Sequence, residues 1–75
     1  MGKAANLLVI CIENAGYEAS LERRKLYECI PDADAAKRKL VRVIDESGED
    51  YLYPASMFFP VTLPETVRRA VLKAA

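Results

Sequence analysis

Ser47-Gly48-Glu49-Asp50-Tyr51-Leu52-Tyr53-Pro54-Ala55-Ser56-Met57-Phe58-Phe59-Pro60 reads as a tight turn, a strand, a proline-led helical turn and a second strand. Gly48 offers the left-handed conformation that a polar hairpin turn needs. Alternation places Tyr51 and Tyr53 on one side of a strand, with Leu52 on the other. Pro54 fixes its own φ and opens a turn of helix through Ala55-Ser56-Met57. Phe58-Phe59 then resumes an extended path that Pro60 is expected to block, leaving a last strand of about four residues. This order suggests a small β-barrel.

Working outward, Leu40-Val41-Arg42-Val43-Ile44 is the strand that pairs across the Asp45–Asp50 turn. Asp32-Ala33-Asp34-Ala35-Ala36-Lys37-Arg38 places an Asp at an N-cap and basic residues last, which predicts one or two helical turns. Residues 21 to 30 carry two patterns. Leu26, Cys29 and Ile30 have helical spacing behind a possible Ser20 cap, while Leu26, Glu28 and Ile30 alternate with Tyr27 and Cys29 as a strand would. Strand is the preferred reading, and Pro31 ends the segment either way.

Leu7-Leu8-Val9-Ile10-Cys11-Ile12 is a short apolar run closed by Glu13-Asn14-Ala15-Gly16, a central strand followed by a loop. A strand apolar on both sides needs cover on both. Thr62-x-x-Glu65 has the spacing of a capping box, and Val67, Ala70, Val71 and Ala74 share a helical face, so a C-terminal helix of about residues 63–74 is expected to cover the first strand. The chain reads as one domain over 1–75, with the barrel at about 6–61.

At 75 residues a fold buries only ~60% of the surface its unfolded chain exposes, so one small core is the ceiling. Apolar residues at 52% and charged residues at 29% predict a folded rather than disordered chain. Eleven basic residues balance eleven acidic ones, which disfavours nucleic acid and acidic membranes as partners unless charge segregates locally. The six-residue apolar run is too short for a signal or a membrane span, so a cytoplasmic location and no membrane association are expected. Met1-Gly2-Lys3-Ala4-Ala5-Asn6 lacks the Ser or Thr of a myristoylation pattern, and Val67 stands where a Leu63-Pro64-Glu65-Thr66 anchoring signal would need glycine.

Leu52-Tyr53-Pro54-Ala55-Ser56-Met57-Phe58 resembles the segment of SH3 domains in which hydrophobic residues precede Pro-Ser-Asn-Tyr. Pro54, Ala55 and Ser56 match, and Met57 stands where the family has tyrosine. The resemblance implies a mainly β fold, an SH3-like five-stranded small barrel with a short helical turn, and protein binding as its use. The aromatic groove of proline-peptide binders is not matched, because the chain has no Trp and Val9-Ile10-Cys11-Ile12-Glu13 lacks the Ala-Leu-Tyr-Asp-Tyr pattern. Val43 to Pro54 also resembles a run in small bacterial proteins of about this length, and no activity comes with that resemblance.

The absence of histidine removes Ser-His and Cys-His nucleophilic pairs and histidine general bases. Asp45, Glu46, Glu49 and Asp50 offer oxygen ligands but lack a calcium-loop spacing, so they read as a solvated turn. Cys11 and Cys29 form no C-x-x-C pair and read as buried thiols. No cofactor, no metal and no enzymatic activity are expected.

Two surfaces remain. Tyr51, Tyr53, Pro54, Met57 and Phe58 are the expected contact surface for a protein partner or a homodimer. Arg23, Arg24, Lys25, Lys37, Arg38 and Lys39 form the alternative, a weak nucleic-acid contact, although acids flank each triplet.

Overall fold

Strands β3 (Leu40–Ile44) and β4 (Asp50–Pro54) form the hairpin that Gly48 turns, its φ at +84°. Upstream lie β1 (Leu7–Cys11), β2 (Leu26–Ile30) and the short helix α1 (Ala33–Lys37). Downstream, a 3-10 turn η1 (Ala55–Met57) leads into β5 (Phe58–Val61) and helix α2 (Glu65–Ala74). The computed structural model describes residues 6–74, without the side chain of Ala74. Met1–Ala5, Ala75 and Ala74's place on the helix stripe, and with them most of the myristoylation pattern, lie outside the described residues.

All strand pairs are antiparallel, and the sheet order is β4-β3-β2-β1-β5. The β-strand reading of the ambiguous segment holds for Leu26–Ile30, whereas Leu21 to Lys25 belong to the preceding loop. The sheet is open: β4 and β5 are its edges, joined through η1 rather than by a ladder, so the expected closure into a cylinder is not shown. Pro54 and Pro60 both fall on these edge strands, where a missing N–H disrupts least and discourages pairing with another chain. Pro60 does not block the last strand. It lies within it, opposite Val9.

The ladder registers put Val9, Cys11, Tyr27, Cys29, Val43, Tyr53 and Phe58 on one face, and Leu21 drops onto them from the β1–β2 loop. Tyr53 and Phe58 meet edge to face with centroids 6.1 Å apart, and Tyr27 meets Phe58 likewise at 6.4 Å. Leu8 points to the opposite face and is also buried, so β1 is covered on both sides as its composition requires.

Helix α2 turns a different face inward from the one its apolar stripe indicates. Arg68, Val71 and Leu72 are half-buried, while Val67 and Ala70 are exposed. A polar contact goes with this orientation: the Arg68 guanidinium donates to the backbone carbonyl of Asn6, beside the start of β1. Pro64 directly precedes the first helical residue and holds the cap position, so Thr62 stands two positions too early for the expected cap.

In α1, the Asp32 carboxylate accepts the Ala35 N–H at 3.0 Å, as an N-cap should, and also takes Arg42 Nε at 2.9 Å. After the helix, Lys39 adopts φ +60°, a conformation that L side chains hold only at a cost. Lys39→Gly is therefore expected to raise stability by about 0.5–1 kcal/mol, the relieved strain exceeding glycine's added unfolded-state entropy. A lower melting midpoint for that variant would contradict this account.

Candidate functional site

The turn after β3 is built around one carboxylate. The Asp45 N–H donates to the Glu49 carbonyl and the Gly48 N–H donates to the Asp45 carbonyl, closing the turn. The Asp45 side chain folds inward, only 7% exposed, and accepts three hydrogen bonds. Ser47 N–H and Ser47 Oγ–H donate to Oδ1 at 2.9 and 2.6 Å, and the Tyr53 hydroxyl donates to Oδ2 at 2.5 Å. Burial pushes this carboxyl up, but the donors from Ser47 and Tyr53 outweigh it and hold the group below its ordinary range. The Tyr53 hydroxyl is pushed up to about 12 by burial and by the adjacent Asp45 carboxylate.

The long β1–β2 loop is fastened to this turn. The Glu46 N–H donates to the Ser20 carbonyl at 3.1 Å, and the Glu46 carboxylate accepts from the Tyr27 hydroxyl and from Lys25 Nζ, each at 2.6 Å. Lys25 and Tyr27 hold the Glu46 carboxyl low, and burial with Glu46's acceptance holds the Tyr27 hydroxyl protonated. Within the loop, Asn14 Nδ2 donates to the Leu21 carbonyl, and Gly16 at φ +88° brings Tyr17 over the core. The Tyr17 ring then meets Tyr53 edge to face at 5.1 Å.

Between loop and turn lies a groove of about 390 Å³, lined by Tyr17, Ser20, Asp45, Ser47, Tyr51 and Tyr53 together with Leu52. Tyr17 is 38% exposed and Tyr51 is 50% exposed, so two aromatic rings stand at the mouth while Tyr53 and Asp45 form the floor. The Tyr51 hydroxyl donates to Glu49 at 3.1 Å, which steadies the ring without burying it.

The surface expected from sequence is therefore divided. Tyr51 is open, Pro54 and Met57 are half-buried with Met57 packed against the core, and Tyr53 and Phe58 are core residues. Tyr53 and Phe58 are only 3% and 7% exposed, so the five residues do not form one open surface. Tyr17, Ser20 and Ser47 join Tyr51 instead. The signal for Tyr17 was present as a large aromatic directly after a loop glycine.

Nor is the acidic turn simply solvated. Each carboxylate has its own partner: Asp45 takes Tyr53, Glu46 takes Tyr27 and Lys25, Glu49 takes Tyr51, and Asp50 takes Arg42. Among the described residues no three such groups converge as metal ligands would. Cys11 and Cys29 face the same core, but Leu7 rather than Cys11 lies opposite Cys29, so the two are about 13 Å apart along the ladder, beyond disulfide reach. Burial pushes both thiols up, away from the reactive thiolate form.

Of the basic triplets, Lys25 is committed to Glu46 and lies over the Tyr27 ring at 5.6 Å. Arg23, Arg24, Lys37, Arg38 and Lys39 are exposed and make no ion pair among the described residues. Backbone bonds place the triplets on the two sides of η1: Arg24 N–H reaches the Cys11 carbonyl, Ile12 N–H the Met57 carbonyl, and Ala55 N–H the Lys39 carbonyl. Among the described residues no helix is long and apolar enough to cross a membrane. Comparison with family models, curated proteins and solved structures finds no match for the chain.

Proposed function

We propose that this chain is a non-enzymatic protein-interaction module of the SH3-like type that acts in the cytoplasm. It uses the groove between the β1–β2 loop and the β3–β4 turn to hold a segment of a partner. The observation that carries the reading is the pair of exposed tyrosines, Tyr17 and Tyr51, above a polar floor. Exposed tyrosines supply large contact area at low conformational cost and add a hydroxyl for orientation, which suits them to partner recognition. The strand order and the 3-10 turn linking the edges support the SH3-like assignment, and two buried free thiols accord with a reducing compartment.

The groove is held from below rather than by its own walls. Leu21, Tyr53 and the Asp45–Ser47 bonds fix the two segments that form it, so the tyrosines are presented on an ordered frame. Covering the exposed half of Tyr51 on binding contributes about 2 kcal/mol, roughly thirtyfold in Kd. The test is a selection of random peptides against the intact chain, followed by binding to variants. Tyr51→Ala should weaken selected binders by that factor while Lys37→Ala leaves them unchanged. Binders indifferent to both Tyr17→Ala and Tyr51→Ala would remove this reading.

A further inference from the structure

We infer that the groove takes a cationic side chain, the guanidinium or ammonium of an Arg- or Lys-bearing segment of a partner protein. The inference rests on the proposed use of the groove as a binding surface and adds the chemistry of its occupant. Three observations converge on a cation.

First, a buried carboxylate in the groove has spare capacity. An ionised carboxylate offers about four acceptor positions. Ser47 fills both on Oδ1 of Asp45, and Tyr53 fills one on Oδ2, so one acceptor position of a carboxylate that lines the groove has no donor among the described residues. A neutral apolar occupant would strip water from that position and return nothing.

Second, the mouth is aromatic. The faces of Tyr17 and Tyr51 carry the negative part of the ring quadrupole, which attracts a cation and repels an anion. Both rings are exposed enough to receive one.

Third, the groove lining carries a carboxylate and no basic residue. On the flanking elements Lys25 is committed to Glu46 at 2.6 Å and Arg42 to Asp32 and Asp50 at 2.9 Å each, while Arg23 and Arg24, exposed at the end of the loop, do not line the groove. Glu49 stands against the Tyr51 hydroxyl, and Glu18 follows Tyr17 in the loop without an ion pair among the described residues. An anionic ligand would meet Asp45, with Glu49 nearby, and no counter-charge in the groove lining. A cation satisfies the open acceptor, the ring faces and the local charge together.

The experiment is an amide NMR titration of the full chain with Gly-Ser peptides carrying one central Arg, Lys, Leu or Glu. The Arg and Lys peptides should shift the amides of Tyr17, Ser47 and Tyr51 with about millimolar Kd, more weakly as salt is raised. Tyr51→Ala should weaken that binding about fivefold, and Glu49→Gln should weaken it while keeping an acceptor for the Tyr51 hydroxyl. Unchanged amide positions away from the groove would show that both variants remain folded. The inference is overturned if the Leu or Glu peptide shifts the same amides as strongly as Arg, or if the cationic peptides shift only residues outside the groove or none. Selected binders that need Tyr51 but carry no cation would overturn the charge inference and leave the binding surface standing. Binders indifferent to both tyrosines would remove the surface itself.

Discussion

Leu21→Ala should lower the stability of this chain by about 2–5 kcal/mol, the cost of emptying a closed site. Leu21 is fully buried although it belongs to a loop, and it packs with Val9, Cys11, Tyr53 and Phe58 in one cluster. Its N–H donates to the Tyr17 carbonyl and its carbonyl accepts from Asn14, so the backbone cannot easily collapse into the space left behind. A domain of this size has about 4–11 kcal/mol of total stability, so the variant should be near its unfolding limit. Urea unfolding measures the loss as a shift in midpoint at constant slope. Leu7→Ala, at a residue 54% exposed, is the internal control and should cost far less. Equal shifts for the two would show that Leu21 does not plug the core.

The second large effect is expected for Tyr53→Phe, at about 1–3 kcal/mol near neutral pH, because Asp45 then loses its Oδ2 donor in a buried setting. The pH dependence has a definite sign. The folded-state carboxyl of Asp45 titrates below its unfolded value, so its contribution is present above the ordinary carboxylate range. It is lost as pH falls from about 4 through the lower folded value. Removing the Tyr53 donor brings the folded value back toward the unfolded one, so the gap between wild type and Tyr53→Phe should narrow in acid. Tyr53 itself, pushed up to about 12, contributes below its unfolded value of about 10 and loses that contribution as pH rises toward 12. Urea midpoints at neutral pH and near pH 3 decide the point, and a gap that stays constant would mean that Tyr53 does not act through the ionised carboxylate.

The two effects meet in one place, because Leu21 and Asp45 hold the loop and the turn that shape the tyrosine groove. Loss of binding in Leu21→Ala would report a disordered frame, whereas Tyr51→Ala leaves the frame intact. Stability and recognition are therefore separable here by choice of residue.

Local chemistry sufficed for the hairpin, for the Pro54-led turn, for the Asp32-capped helix and for a first strand needing cover on both faces. Those features depend on neighbouring residues, on proline's fixed φ, on glycine's freedom and on the alternation of a strand, all of which are written in consecutive positions. Only the assembled sheet distinguished Tyr53 from Tyr51, which the alternation puts on the same face. Tyr17 and Leu21 come from a distant loop to cover Tyr53, and that cover stops short of Tyr51. The same distance in sequence hid the burial of Asp45, the inward turn of Arg68 and the separation of Cys11 from Cys29. Burial is a property of what another segment lays on top, and a period of two residues carries no record of it.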